Sequence, residues 1–197
     1  MPRHYKDTET RRRQVAEAAL RTIAEDGVAH FTSKAVAARV GISDGTLFRH
    51  FGNKEEIVLE AMHLLEIELE AGLLDTGDAL EDLEGFFRHR AAFVGEQGSV
   101  GRLIFSDELL HLAGDEGSRV VEGWRRSSVG FLIDRLGRLC GQGHLRRDLD
   151  VPAMSMLVQG VLLTFAMQAS LGRAGSREEV LQRVDHAWET LRTILSA

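Results

Sequence analysis

The segment 31–54, FTSKAVAARVGISDGTLFRHFGNK, constrains the fold of this chain more than any other. It spells two short helices separated by a tight turn, with a third helix starting just behind. Thr32 precedes a helical run at 33–40, and its hydroxyl suits a free backbone N–H of the first turn. Gly41 stands where a helix end needs a left-handed residue, and Ser43 stands where the next helix needs a cap. Helices joined this closely cross at a steep angle. Val36, Ala37, Val40, Ile42, Leu47 and Phe51 then face inward, with Ala37 small enough to let the two helices approach. Thr46, Arg49 and His50 fall on the outer side of the second helix. Asn53 opens the third helix, and Glu56 follows three residues later in the manner of a capping box. Lys54 therefore stands at an N-terminus, where backbone N–H groups and an ammonium together can hold a phosphate.

The charge distribution agrees with a head that faces nucleic acid. Net charge is −6 over 197 residues, which argues against a protein coated with nucleic acid. Residues 1–54 carry ten Lys/Arg against six Asp/Glu, and residues 55–197 carry 14 against 24. A basic head on an acidic body presents one face to DNA and repels it elsewhere. Arg3, Lys6, Arg11, Arg12 and Arg13 precede or open the first helix, with a cap expected near Asp7 or Thr8. Such an arm is either a solvated tail or a strand-following contact.

The motif resembles the N-terminal domain of the TetR family of transcriptional regulators over about residues 11–60. The matching elements are Ala18-Ala19, Gly27, Thr32, Ile42-Ser43, Gly45-Thr46-Leu47-Phe48, His50-Phe51 and Lys54-Glu55. The resemblance implies DNA contacts from Thr32, Ser33, Ser43, Asp44, Gly45, Thr46, Phe48, Arg49, His50 and Lys54. Phe48 stands where the family usually has Tyr, so one phosphate-bonding hydroxyl is missing. Asp44 favours the helix N-terminus but repels phosphate, and it suits a cytosine amino group better.

Beyond residue 54 the chain reads as helical throughout. It holds two prolines in all and shows no sustained period-two alternation. Helices are expected at 53–72, 78–95, 100–113, 118–140, 152–170 and 176–196, nine in all with the first three. The fold class is therefore all-α, with a DNA-binding domain at 1–54 and a larger helical domain at 55–197. The resemblance implies that the middle helices enclose a small-molecule effector, with Phe86, Phe93, Phe105, Glu108, His111, Trp124 and Phe131 as lining candidates. The helix at 152–170 is apolar on nearly every side and the last one is strongly amphipathic. Both are expected to pair with their copies in a homodimer through Leu157, Val161, Phe165, Val184, Trp188 and Leu191. Two reading heads on a twofold axis suit a palindromic operator in double-stranded DNA.

Other classes are less well supported. Cys140 is alone, so no intrachain disulfide or cysteine metal cluster is expected, and no cofactor is implied. The N-terminus lacks the apolar core of a signal peptide, and the apolar run 156–167 carries Gln159 and is too short to span a bilayer. A cytoplasmic protein without a membrane partner is expected. Glu60/His63 and Glu108/His111 have the Glu-x-x-His spacing of helical di-metal enzymes, at a count close to chance for a chain with eight histidines. A metal enzyme and a ligand-binding module without DNA function are the alternatives.

Overall fold

The computed structural model describes residues 3–97, 99–105, 107–146 and 149–196. Among them every regular element is helical, and β pairing is limited to an isolated bridge between Leu145 and Ser196. Nine α-helices follow in order: α1 Arg3–Arg21, α2 Ser33–Val40, α3 Asp44–Leu47, α4 Lys54–Glu70, α5 Ala79–Glu96, α6 Ser99–Arg102, α7 Glu108–Gln142, α8 Val151–Ser170 and α9 Arg177–Leu195. A π-helical turn at Thr22–Asp26 continues α1, and a 3-10 turn at Leu103–Phe105 follows α6.

Local chemistry sets most of the starts. The Asp78 carboxylate accepts the N–H groups of Leu80 and Glu81 at 2.8 and 3.2 Å and opens α5. Asp150 accepts the N–H of Ala153 at 2.9 Å and opens α8, with Pro152 in the first turn. Ser176 and Glu179 form a reciprocal capping box at the start of α9. The first helix begins earlier than its expected cap near Asp7 or Thr8, because residues 3–7 contain no glycine or proline to stop it.

The expected helix at 100–113 is not continuous. It divides into α6, the 3-10 turn and the start of α7, where the Asp107 carbonyl accepts the N–H of His111 at 3.2 Å. The expected gap at 114–117 shrinks to one residue. Gly114 takes φ 58° and ψ −149°, a conformation open to glycine, and α7 kinks there rather than ending.

The chain forms two compact units. The first runs to Ile67 and also takes Leu103–Glu122; the second holds Glu68–Arg102 and everything from Gly123 onward. This division differs from 1–54 and 55–197 because the first half of α4 buries Ile57, Val58, Ala61, Met62 and Leu65 as part of the first core. In the second unit α5 packs on α8 and α9, and α6 packs on α5 and α8. A Cβ at Gly101 would fall 2.7 Å from Val94 Cα, so α6 approaches α5 backbone to backbone.

The two last helices spend their apolar faces differently from expectation. Phe165, Val184, Trp188 and Leu191 are buried in the chain's own core, so four of the six expected dimer contacts are already used. Their physical partners lie within the chain: the Phe87 and Trp188 rings, for example, stand 5.8 Å apart. Val161 is half-buried and Leu157 is 58% exposed. Met156, Leu163, Met167 and Leu171 of α8 and its end, with Leu181 and Ile194 of α9, are the apolar side chains left outside. As a whole helix α8 is long and apolar enough to cross a membrane by length and composition alone, while its uninterrupted apolar run 156–167 is shorter than a span needs. Its buried side packs on α5 and α6, as a core helix does.

Candidate nucleic-acid interface

The turn between α2 and α3 is built as its residues dictate. Thr32 Oγ1 accepts the Ala35 N–H at 3.1 Å and starts α2. Gly41 adopts φ 77° and ψ 32°, its N–H reaches Ala38 O at 3.2 Å, and the Ile42 N–H reaches Ala37 O at 3.0 Å. These are the two bonds of a Schellman stop. Ser43 Oγ then accepts the Thr46 N–H at 3.1 Å and starts α3. The α-helical part of α3 is only four residues long. Tighter bonds extend it: Arg49 N to Thr46 O at 3.2 Å and His50 N to Leu47 O at 2.9 Å. Val36, Ala37, Leu47 and Phe51 are buried beneath it, as expected, whereas Val40 and Ile42 are half-buried.

Arg12 fixes the far end of this element. Its Nη1 donates to the His50 carbonyl at 2.5 Å and to Glu56 at 2.9 Å, and its Nη2 donates to Glu60 at 2.5 Å. The guanidinium also lies 4.3 Å over the Phe51 ring. Arg12 is therefore not part of a free arm; the side chains of Arg3 and Lys6 lie outside the described residues. Glu56 Oε2 accepts the Gly52 N–H at 2.6 Å, while Asn53 Oδ1 accepts the Glu56 N–H at 2.7 Å. The expected capping box is thus shifted by one residue on its return bond. The Gly52 N–H and the Arg12 guanidinium hold the Glu56 carboxyl below the usual carboxylate range. Arg39 ties α2 to the end of the π turn through Glu25 at 2.5 Å and Asp26 at 2.9 Å.

The residues left on the outside form a coherent set. Thr32, Ser43, Asp44, Gly45, Phe48, Arg49 and Lys54 are exposed, and Ser33, Thr46 and His50 are half-buried. The Arg49 side chain has no hydrogen-bond or ionic partner among the described residues, so its guanidinium is free to engage a ligand. Lys54 Nζ rests 4.7 Å over the Phe31 ring. That contact holds the ammonium of the first residue of α4 over the side chain that precedes the Thr32 cap of α2. Thr46 Oγ1 sits 2.8 Å from Ser43 Oγ, so a base contact by Thr46 has to compete with that bond. Sequence reasoning missed Lys34, an exposed lysine in the first turn of α2. The signal was present: a basic residue two positions after the Thr32 cap.

Gly45 separates contact from folding. A Cβ there meets nothing within 4 Å and its φ is not positive. Gly45→Val should therefore leave thermal unfolding nearly unchanged while weakening duplex binding at least about tenfold, through obstruction at the DNA backbone. Paired melting and anisotropy measurements test this; a variant that binds as wild type removes Gly45 from the interface.

The remaining sequence candidates separate. Phe86 and Phe131 stack with centroids 5.2 Å apart in the second unit, where Trp124 is buried and Phe93 half-buried. Glu108 is half-buried and His111 exposed, both in the first unit, and the Phe105 side chain lies outside the described residues. Arg90 was missed altogether. It occupies a core position of α5 among Leu83, Phe86, Phe87 and Val94, and an arginine at that period was the available signal. Glu60 is engaged by Arg12, and His63 Nδ1 lies 3.3 Å from Glu66, so that Glu-x-x-His pair is occupied by neighbours. Among the described residues no group of three or more His, Cys, Asp or Glu is placed to hold a metal.

Comparison with known proteins places this geometry in context. The family model described as "Bacterial regulatory proteins, tetR family" matches residues 15–61. The transcriptional repressor KstR2 of Mycobacterium tuberculosis strain H37Rv is 31% identical over 147 residues, 72% of each chain. The solved KstR2 structure superposes with a TM-score of 0.77 at 24% identity, covering 95% of both chains. FadR from Bacillus subtilis, solved with stearoyl-CoA, gives 0.67 at 19% identity over 92% of this chain and 98% of its own. AibR, solved with isovaleryl coenzyme A and operator DNA, gives 0.65 at 23% identity over 84% and 96%.

Proposed function

The chain belongs to the TetR family of bacterial regulatory proteins, and we propose that it represses transcription as a homodimer on a palindromic operator until a small acyl compound binds its second unit. As a member of that family it is a DNA-binding, ligand-responsive transcriptional regulator. The observation that carries the detailed reading is the outward set Arg49, His50 and Lys54. The Arg49 side chain has no partner among the described residues, and the Lys54 ammonium, at the first residue of α4, rests on the Phe31 ring. Lys54 and His50 grip phosphate and hold the register, while Arg49 and Thr46 meet base edges. Repressors act where the chromosome is, so the protein works in the cytoplasm without a membrane.

Two structural neighbours support one effector class as the first to try. FadR was solved with stearoyl-CoA and AibR with isovaleryl coenzyme A, so a coenzyme A thioester or the acid it derives from is the first class to try. An effector releases DNA only through its preference for the conformation whose heads are badly spaced. The decisive experiment is selection of duplexes from a random pool by the purified protein. Binding by anisotropy should then fall steeply as salt rises. A protein that binds no duplex at low ionic strength would overturn the reading.

The dimer face is drawn on the apolar side chains left outside the core: Met156, Leu157, Leu163 and Met167 of α8 with Ile194 of α9. Leu157→Glu places a charge on that face without touching the core, since Leu157 is 58% exposed. Its solution mass by light scattering should fall from dimer to monomer, and operator affinity should drop by more than about tenfold because one head reads only half a palindrome. A variant that stays dimeric moves the interface elsewhere.

A further inference from the structure

In the second unit α5 and α7 meet through successive rungs. Arg135 Nε donates to Asp82 Oδ2 at 2.8 Å, Phe86 stacks on Phe131, and Arg90 Nη1 lies 3.5 Å from Ser128 Oγ. Trp124 stands on the same face of α7, one turn or about 5.4 Å beyond Ser128. Arg90 is 4% exposed and Trp124 6% exposed. The Arg90 Nε and the Trp124 Nε1 are both fully buried, and neither has an acceptor among the described residues. The other contacts of Arg90 are neutral: Nη2 donates to the Leu69 carbonyl at 3.0 Å, and the guanidinium lies 5.0 Å over the Phe86 ring.

This arrangement is expensive unless something completes it. Burial pushes the Arg90 pKa down to about 10, so the group is still a cation at neutral pH. A buried cation without an anion is costly, and so is each buried donor without an acceptor. The same two helices show the structural alternative, since Arg135 is given the Asp82 carboxylate. Arg90 and Trp124 are both donors, so the missing partner is an acceptor, and the missing charge is negative.

We propose that Arg90 and Trp124 receive the anionic oxygen of the effector, a carboxylate or phosphate oxyanion on an apolar body that lies along Phe86, Phe93 and Phe131. This rests on the reading of the chain as a ligand-responsive regulator. Phe93, Ser128 and Phe131 are only half-buried, so this face is not sealed from solvent. The guanidinium also holds the Leu69 carbonyl in the last turn of α4, the helix whose first residue is Lys54. An arriving anion competes for that hydrogen bond, so effector binding acts on the end of the helix that begins at the DNA head.

The test uses the full chain, with octanoate, octanoyl-CoA and octan-1-ol as probes on wild type, Arg90→Met and Trp124→Phe. Octanoate or octanoyl-CoA should raise the wild-type Tm by at least about 3 °C at saturation, and octan-1-ol should not. Response to octanoate alone makes the carboxylate the anion; response to octanoyl-CoA alone makes it a coenzyme A phosphate. Arg90→Met should abolish the response, and Trp124→Phe should weaken affinity about tenfold. Ligand-free Arg90→Met should melt at or above the wild-type temperature. A fall of more than about 5 °C makes the guanidinium structural and overturns the proposal. So does a wild type that responds to octan-1-ol as strongly as to the anions, or to none of the three. Loss of operator binding by wild type itself would overturn the regulator reading instead, and the melting results would still judge the site.

Discussion

Replacing Arg49 and Lys54 together by alanine should weaken operator binding at least about a hundredfold at physiological salt and flatten its salt dependence. Both side chains are exposed, so the fold loses little. Lys54 gives up a cation–π contact with Phe31 at the surface, a loss of about 0.5–1 kcal/mol. Binding loses far more. Each phosphate contact contributes a slope of about 0.9 in log affinity against log salt. Lys54 in each of two heads makes two phosphate contacts, so the slope should fall by about 2, and by up to about 4 only where Arg49 also reaches phosphate. The single variants then separate the roles. Lys54→Ala should reduce affinity for every duplex alike, whereas Arg49→Ala should also change the preferred sequence if its guanidinium reads a base. Titrations at several salt concentrations decide the matter. A double variant with the wild-type slope would mean that neither cation touches the backbone.

The second large effect concerns stability. Asp82 is 0% exposed, and its carboxylate accepts from the Thr76 N–H at 2.8 Å, the Thr76 hydroxyl at 2.9 Å and Arg135 Nε at 2.8 Å. Arg135 spreads its other donors over Asp134, Asp75 and the Leu74 carbonyl, and lies 4.7 Å over the Phe131 ring. Asp82→Ala removes the buried anion and leaves part of this cluster unpaired. The cost should be about 3 kcal/mol, or a fall in Tm of roughly 6–12 °C for a chain of this size. Asp82→Asn, which keeps the shape and the acceptor oxygen, should cost less. Burial alone would raise the Asp82 pKa, but the Thr76 and Arg135 donors outweigh it and hold the carboxyl below its ordinary value. The folded state therefore binds the proton less readily than the unfolded chain. The contribution is complete above the ordinary aspartate pKa of about 4 and is lost as pH falls toward the depressed value. Melting curves from neutral pH down to about pH 3 should show wild type losing its advantage over Asp82→Asn across that window. Parallel curves would remove Asp82 from the acid response.

Short-range signals carried far in this chain. The caps at Thr32 and Ser43, the left-handed Gly41 and the approximate starts of α5, α8 and α9 were readable because each involves atoms within about four residues. The outward set of the helix-turn-helix was readable for the same reason: once the apolar residues are assigned to one side, the others have nowhere else to go. Arg12 shows the limit. In sequence it is one of three consecutive arginines in a basic arm. In the fold it is taken up by Glu56, Glu60 and the His50 carbonyl, all some forty residues away.

The amino-acid sequence alone thus determined the all-helical class, most helix starts, the basic head and the stop-and-start geometry of the reading element, since these rest on local hydrogen bonds and on periodicity. Only the tertiary structure decided which side of α8 and α9 is spent inward. It decided equally that Phe165, Val184, Trp188 and Leu191 belong to the chain's own core, and that Arg90 lies buried with no anion beside it among the described residues. An all-round apolar helix has no preferred face until a neighbour claims one, and the environment of a charge depends on residues brought near it by folding.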